Sequence, residues 1–177
     1  MNSKRVAALT VVACALWARG LGAAADMPKV GDKAPLVEGK DQAGKTWKLA
    51  ELVGKKAVLL YFYPKDDTPG CTQEACGLRD RMADLAKDNV AVIGVSFDSG
   101  KSHQQFIDKY RLNFPLLADT GGQIAEAYGA RIPGRDMARR VSFLIGLEGK
   151  IAHVTADPSA EVHLSEMNAA VAKLPKK

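Results

Sequence analysis

The segment that most constrains the fold is an apolar run that ends at a proline and leads into a cysteine-bearing helix. Residues 57–63 are continuously apolar and rich in branched and aromatic side chains, which is typical of a central strand covered on both faces. Pro64 ends this strand because proline has no N–H group for a sheet hydrogen bond. Thr68 and Pro69 then predict a helix start, with Thr68 as N-cap and Pro69 at the first helical position.

Cys71 falls in the first turn of this predicted helix. The unpaired N–H groups and the positive end of the helix dipole favour an anion there, and a thiolate is an anion. Nucleophilic chemistry needs the thiolate, because the protonated thiol attacks poorly. The position therefore indicates a reactive cysteine, with a small, buried and inert cysteine as the alternative.

Cys76 follows Cys71 at a spacing of five residues. On a regular helix the Cα atoms of two such residues are roughly 8.6 Å apart, whereas a disulfide needs about 7 Å or less. If both cysteines are helical, a bond between them requires a turn to unwind, which predicts a disulfide that forms and breaks in a redox cycle. A static structural disulfide is the alternative if the segment is a loop.

The first 25 residues differ in character from the rest of the chain. The basic pair Lys4 and Arg5 precedes an apolar run, and three small residues come before Asp26, the first acidic residue. This order is typical of a secretory signal peptide, so we expect a leader at residues 1–25 and one globular domain at residues 26–177. A membrane anchor is the alternative, although the run is shorter than the about 20 apolar residues that a span needs.

Export would place the mature protein in an oxidising compartment, which we expect to be the periplasm. Cys14 leaves with the leader, so Cys71 and Cys76 remain as an even pair. A lipoprotein anchored at Cys14 is a second alternative, because residues 11–14 weakly resemble a lipobox. The leader also holds three of the 25 basic residues, so 22 remain against 20 acidic ones, a net charge of +2 instead of +5. This small net charge predicts neither nucleic-acid binding nor stable association with a membrane after the signal peptide is cleaved.

The mature chain alternates predicted strands and helices. Two short strands flank a turn at residues 41–45, and residues 147–150 predict the turn of an antiparallel hairpin. Further strands are predicted near 90–97, 114–117, 140–145 and 151–155, and helices near 68–87, 102–110 with Ser102 as cap, 122–128 and 161–174. The pattern predicts an α/β fold with a central mixed sheet flanked by helices and an N-terminal hairpin.

Pro64, Thr68 and Cys71 reproduce the PxxxTxxC motif of peroxiredoxins. Cys76 resembles the resolving cysteine of one peroxiredoxin subgroup, the bacterioferritin comigratory protein or PrxQ subgroup. The likeness extends from about Val30 to near the C-terminus, through segments 76–80, 102–106, 114–117 and 140–145. The resemblance implies a thioredoxin-like fold and an antioxidant, thioredoxin-dependent peroxidase that acts on hydrogen peroxide and organic hydroperoxides.

The resemblance also implies a role for each cysteine. Cys71 would attack the hydroperoxide and become a sulfenic acid, and Cys76 would then condense with it to an intramolecular disulfide. A thioredoxin-like protein would supply the dithiol that reduces this disulfide. Members of the subgroup are often monomers, so we expect a monomer.

Other site residues follow from the same family motif. Arg140 and Thr68 would stabilise charge on the leaving oxygen, and Pro64 would shield the thiolate from water. Arg139 would point to the opposite face of a strand, and the family spacing selects Arg140. Glu74 matches a recurrent polar position of the family, with a solvated helical carboxylate as the alternative.

No metal or cofactor is expected. His103, His153 and His163 fall on different predicted elements, and their spacing does not resemble a zinc site. The sequence also contains no glycine-rich phosphate loop. Two other function classes stay open: a thioredoxin-type disulfide oxidoreductase, although those use a C-x-x-C pair, and a non-catalytic redox sensor or binding module.

Overall fold

The structure, a computed structural model, describes residues 26–175. The expected signal peptide at residues 1–25, with the alternative lipidation site Cys14, lies outside the described residues. Within residues 26–175 no helix is both long and apolar enough to cross a bilayer. The strands are β1 (Glu38–Lys40), β2 (Thr46–Lys48), β3 (Ala57–Phe62), β4 (Val90–Ser96), β5 (Leu116–Ala118), β6 (Val141–Ile145) and β7 (Ile151–Thr155). The helices are α1 (Leu49–Leu52), α2 (Pro69–Lys87), α3 (Gly100–Tyr110), α4 (Gln123–Ala127) and α5 (Ala160–Val171).

The main sheet has five strands in the order β5-β4-β3-β6-β7. β3 pairs in parallel with β4 and antiparallel with β6, while β4 and β5 are parallel and β6 and β7 form an antiparallel hairpin. All six residues of the central β3 are buried, because helices cover both faces of the sheet. The predicted α/β class, central strand and C-terminal hairpin are confirmed.

Alternate side chains of β3 enter two apolar cores on opposite faces of the sheet. Val58, Leu60 and Phe62 pack with residues of α1 and α4 in one core. Leu59 and Tyr61 pack in the other core, which also holds Cys71 and residues of α2, α3 and α5. The face covered by α2, α3 and α5 therefore contains the cysteine that the sequence singled out.

The predicted N-terminal hairpin is confirmed as the antiparallel pair β1–β2. Asp41 organises its turn, because one carboxylate oxygen accepts from the N–H groups of Ala43 and Lys45 at 2.9 and 3.0 Å. Its other oxygen accepts from Trp47 Nε1 at 2.8 Å. Gly44 adopts a φ of +78°, a conformation that glycine adopts without strain.

One predicted helix start is wrong by about a turn. α3 begins at Gly100, and Ser99 is its N-cap, accepting from Ser102 N at 3.2 Å. Ser102 lies inside the helix, where its hydroxyl donates to Asp66 at 2.7 Å. Both serines suit an N-cap by residue type, so the tertiary contact with Asp66 decides between them.

Candidate active site

Cys71 is the third residue of α2, which follows β3 after a short loop. Only 1% of Cys71 is exposed, because the first turn of α2 packs on Tyr61 and its neighbours in the apolar core. α2 continues without interruption to Lys87, so Cys76 is also helical. Both cysteines are free thiols, as the helical spacing requires.

Thr68 occupies the predicted N-cap position, and Pro69 is the first helical residue. The Thr68 hydroxyl does not cap the helix, however, because it donates to the carbonyl oxygen of Lys65 at 3.1 Å. The N–H groups of the first turn therefore keep their partial positive charge for an anion beside Cys71. Pro64 follows β3 as expected and is half-buried.

Arg140 reaches Cys71 from the central sheet. It precedes β6, whose first residue Val141 pairs with Phe62 at the end of β3, so its side chain enters the region where the chain leaves β3 for α2. Nη2 donates to Cys71 Sγ at 3.4 Å, and Nε donates to the carbonyl oxygen of Pro158 at 3.1 Å. The side chain is only 9% exposed, whereas its neighbour Arg139 is exposed.

Gly70 makes room for this guanidinium. A Cβ atom at Gly70 would lie 3.1 Å from Arg140 Nη2, which is tighter than an ordinary van der Waals contact. The absence of a side chain therefore allows the arginine to approach the first turn of α2. Sequence reasoning missed this role, because glycine near a helix start is equally well explained by backbone freedom.

Glu74 lies one turn after Cys71 and is completely buried. Its carboxylate forms an ion pair with Arg140 Nη1. Burial raises the pKa of Glu74 to about 7, with the charge and hydrogen bond of Arg140 opposing the rise. Burial lowers the pKa of Arg140, but the charges and hydrogen bonds of Glu74 and Cys71 outweigh it and leave that pKa above the usual value. Glu74 is therefore a buried site group and not the solvated carboxylate that the sequence left open.

Ser142 and His163 extend this network away from Cys71. Ser142 Oγ lies 3.5 Å from Glu74 Oε1 and 2.7 Å from His163 Nδ1. His163 Nε2 lies 2.8 Å from the carbonyl oxygen of Asp157, which can only accept, so Nε2 carries a proton. Burial also lowers the pKa of His163. The single proton of the Ser142 hydroxyl goes either to His163 Nδ1 or to Glu74 Oε1, and the shorter contact favours donation to a neutral imidazole at Nδ1.

Sequence reasoning missed both residues as parts of the site. Ser142 is a polar residue within an otherwise apolar strand, β6, and a buried hydroxyl needs a hydrogen-bond partner. That signal could have marked it. His163 gave no comparable signal, because its partners come from β6 and the segment before α5, which only the fold brings together.

The loop between β3 and α2 is held by a second buried network centred on Asp66. The Asp66 carboxylate accepts from the hydroxyl groups of Tyr63 and Ser102, each at 2.7 Å. It also lies 2.9 Å from His103 Nδ1, whose ring is fully buried, with Nε2 3.1 Å from the carbonyl oxygen of Leu117. These contacts fix the loop against α3 and β5, and thereby fix the start of α2.

Cys76 is half-buried on α2, and Arg79 Nη1 lies 3.6 Å from its sulfur. A cavity of about 680 Å³ lies at the other end of β3, lined by residues that include Ala57, Asn89 and Pro175. None of the site residues described above lines it. In the part of the chain that the structure describes, no group of three His, Cys, Asp or Glu side chains is arranged to hold a metal ion.

The sequence and the fold of this chain are similar to those of known proteins. The model of the AhpC/TSA family matches residues 30–154. A putative peroxiredoxin Bcp from Coxiella burnetii is 43% identical over 145 residues, which is 78% of this chain and 95% of that protein. Peroxiredoxin Bcp from Escherichia coli is 43% identical over 141 residues, covering 76% of this chain and 90% of that protein.

Solved structures of peroxiredoxins have a similar fold. The peroxidoxin BcpB from Mycobacterium tuberculosis superimposes with a TM-score of 0.78 at 31% identity, covering 84% of this chain and 99% of that one. The bacterioferritin comigratory protein of Xanthomonas campestris gives a TM-score of 0.71 at 27% identity, covering 80% of this chain and 98% of that one. The thioredoxin-like fold that the motif implied is confirmed, and the chain belongs to the AhpC/TSA family, among the Bcp and PrxQ peroxiredoxins, which are thiol-dependent peroxidases.

Proposed function

We propose that this protein reduces hydroperoxides through Cys71 and closes its catalytic cycle with Cys76. The Cys71 thiolate attacks one oxygen of the peroxide, a sulfur–oxygen bond forms and the oxygen–oxygen bond breaks. The leaving oxygen takes a proton and departs as water or an alcohol, and Cys71 becomes a sulfenic acid. Cys76 then attacks the Cys71 sulfur, giving a disulfide and water. An external dithiol reduces the disulfide and is itself oxidised.

The observation that carries this proposal is the contact between Arg140 Nη2 and Cys71 Sγ at 3.4 Å on the first turn of α2. A fixed guanidinium beside the sulfur stabilises the thiolate, and it also lies where negative charge develops on the leaving oxygen. Thr68 and Pro64 complete the proposed site as residues of the motif. Their proposed roles are charge stabilisation for Thr68 and exclusion of water for Pro64.

The burial of Cys71 favours a peroxidase over a thioredoxin-type oxidoreductase. A thiol that is 1% exposed admits a small peroxide more readily than the cysteine of another protein. A protein reductant therefore acts on the disulfide form, after α2 has unwound. We infer that this reductant is a thioredoxin-like dithiol protein, and that the functional unit is a monomer, because both cysteines lie on one helix and the disulfide closes within one chain.

The substrate proposal includes organic hydroperoxides beside hydrogen peroxide. It is supported by the Xanthomonas campestris relative, whose structures concern alkyl peroxide reduction. We also propose that the enzyme is exported to the periplasm, on the pattern of its first 25 residues. Mass spectrometry of the protein from the periplasmic fraction should show an N-terminus at Asp26, and a chain starting at Met1 would contradict export by cleavage.

The test is peroxide consumption by wild type, Cys71→Ser and Cys76→Ser with excess small dithiol. Cys71→Ser should be inactive, whereas Cys76→Ser should still be oxidised at Cys71 and should recycle poorly when a protein reductant replaces the small dithiol. Activity that survives in Cys71→Ser would overturn the assignment. A single oxidation of wild type without further turnover would favour a redox sensor, and reduction of insulin disulfides would favour an oxidoreductase.

A further inference from the structure

The second cysteine has an arginine of its own. Arg79 Nη1 donates to Cys76 Sγ at 3.6 Å, much as Arg140 donates to Cys71. The Arg79 guanidinium is held in place, because Nη1 also donates to the carbonyl oxygen of Tyr110 at 2.6 Å and Nε donates to Asp80 at 2.8 Å. A positive charge is therefore fixed beside the proposed resolving thiol.

Cys76 needs such a partner more than Cys71 does. It lies more than one turn inside α2, where the backbone N–H groups already donate to carbonyl groups of the helix. The positive end of the helix dipole acts only within the first turn. The helix N-terminus that favours a thiolate at Cys71 therefore does not act on Cys76. We propose that Arg79 is a positioning residue for the resolving step, keeping Cys76 as a reactive thiolate when Cys71 becomes a sulfenic acid.

This inference rests on the proposed function, because it assigns Arg79 to the second step of that cycle. In this step the Cys76 thiolate attacks the sulfur of the Cys71 sulfenic acid, and a sulfur–sulfur bond forms as the sulfur–oxygen bond breaks. Hydroxide leaves and takes a proton to become water. Cys76 is oxidised and Cys71 is reduced, so the step needs no other reactant, but its rate depends on the thiolate form of Cys76.

Several other charged groups on the elements packed here have polar partners. Asp80 forms an ion pair with Arg79 at 2.7 Å, and its hydrogen bond is the largest cause of the raised pKa of Arg79, to which the charge of Cys76 also contributes. Lys109 of α3 pairs with Asp67 of the loop before α2 at 2.7 Å. On α5, Glu161 accepts from Gln73 at 3.1 Å.

A purely structural role for Arg79 predicts an effect of opposite sign. Its side chain ties α2 to the end of α3 through Tyr110, and its carbonyl oxygen accepts from Asn113 Nδ2 at 3.5 Å. If Arg79 only held the helix together, its loss would ease unwinding and speed the disulfide. If its charge activates Cys76, its loss would slow the disulfide.

A single-turnover experiment distinguishes a structural role of Arg79 from activation of Cys76 by its charge. Reduced protein is mixed with one equivalent of hydrogen peroxide, quenched at intervals with dimedone, and digested with trypsin. Cys71 and Cys76 then lie on one peptide that ends at Arg79, or at Arg81 in Arg79→Gln. Sulfenic acid is counted as the dimedone adduct and the disulfide as a loss of two hydrogens.

Arg79→Gln should leave sulfenic acid formation within about twofold and slow disulfide formation about three- to tenfold, the size of a charge-assisted contact at a partly exposed site. Arg79→Lys, which keeps the charge, should fall between this variant and wild type. The matched control is Arg81→Gln, at an exposed position of the same helix, which should change neither step. Disulfide formation in Arg79→Gln as fast as in wild type, or faster, would overturn the proposal.

Alkylation of Cys76 gives a second, independent readout. In a Cys71→Ser background, the rate of reaction with iodoacetamide is followed against pH with and without Arg79→Gln. Alkylation near neutral pH should be slower when Arg79 is replaced, and an unchanged rate would refute the role of its charge. If wild type forms no sulfenic acid at Cys71, the proposed function fails, whereas this alkylation result still decides the role of Arg79.

Discussion

Two adjacent arginines, Arg139 and Arg140, provide a matched pair of variants. Arg140 Nη2 lies 3.4 Å from Cys71 Sγ, whereas Arg139 is exposed. Arg140→Gln should lower the second-order rate constant for oxidation of Cys71 by hydrogen peroxide by about 10²- to 10³-fold, the loss typical of removing one donor to developing charge. Arg139→Gln should change it less than about twofold. Stopped-flow or competition kinetics would measure both, and equal effects would contradict the site.

Glu74 should make the stability of the protein depend on pH. Burial raises its pKa to about 7, against about 4.3 in an unfolded chain. Between these values Glu74 holds a proton in the folded protein that it has released in the unfolded chain, so its contribution to the free energy of unfolding falls as pH rises. The slope approaches about 1.4 kcal/mol per pH unit. The free energy of unfolding, measured by urea denaturation at pH 5, 6, 7 and 8, would show this slope.

Glu74→Gln is the comparison for this prediction, because a buried amide cannot ionise. The variant should lack the loss of stability between about pH 4.5 and 7, so the difference between it and wild type should change across that window and level off above it. Glu51→Gln, at an exposed position of α1, serves as control and should keep the wild-type slope. A slope in Glu74→Gln as steep as in wild type would show that another group is responsible.

Helix α2 carries both cysteines, and its packing on α5 depends on Gly77. A Cβ atom there would lie 2.9 Å from Leu164 Cδ2 and still closer to Cδ1. Overpacking of this kind costs about 1–3 kcal/mol, whereas alanine gains about 1 kcal/mol over glycine in helix propensity. Gly77→Ala should therefore lower the free energy of unfolding by about 1 kcal/mol, measured by urea denaturation.

The control for Gly77→Ala is Gly100→Ala at the first position of α3. Its Cβ would meet no atom closer than 3.5 Å, which is ordinary contact distance, so only propensity and chain entropy change. This variant should be neutral or slightly stabilising. A Gly77→Ala protein as stable as Gly100→Ala would mean that Leu164 moves aside without cost.

Oxidation should loosen one part of the molecule and spare the rest. The proposed disulfide cannot form on a regular helix, because the two Cα atoms would be roughly 8.6 Å apart and need to approach within about 7 Å. Unwinding the start of α2 removes Cys71 and Ala75 from the apolar core. Backbone amides of residues 68–78 should therefore exchange faster in the oxidised protein, while those of β3 stay protected.

Hydrogen exchange with mass spectrometry on reduced and oxidised protein would measure this difference. Cys76→Ser treated with peroxide is the matched control, because it forms a sulfenic acid at Cys71 but no disulfide within the chain. It should keep the protection of the reduced protein. Unchanged exchange in oxidised wild type would contradict a cycle that depends on unwinding of α2.

Local patterns along the chain were enough to predict β3, the start of α2, both hairpins and the position of Cys71 in a first helical turn. These features depend on the apolar period, on the missing N–H group of proline and on turn residues, all of which act over a few neighbouring positions. The boundary of α3 was wrong because Ser99 and Ser102 suit a cap equally by residue type.

The surroundings of Cys71 were decided by tertiary structure. Arg140, Ser142 and His163 are distant from Cys71 in sequence and meet it, or meet Glu74, only because β6 pairs with β3 and α5 packs on α2. Arg140 was expected from a family motif. Ser142 had one local signal, a hydroxyl within an apolar strand, and His163 had none. The burial that raises the pKa of Glu74 is likewise a property of the packed core, since desolvation depends on every element that covers a residue.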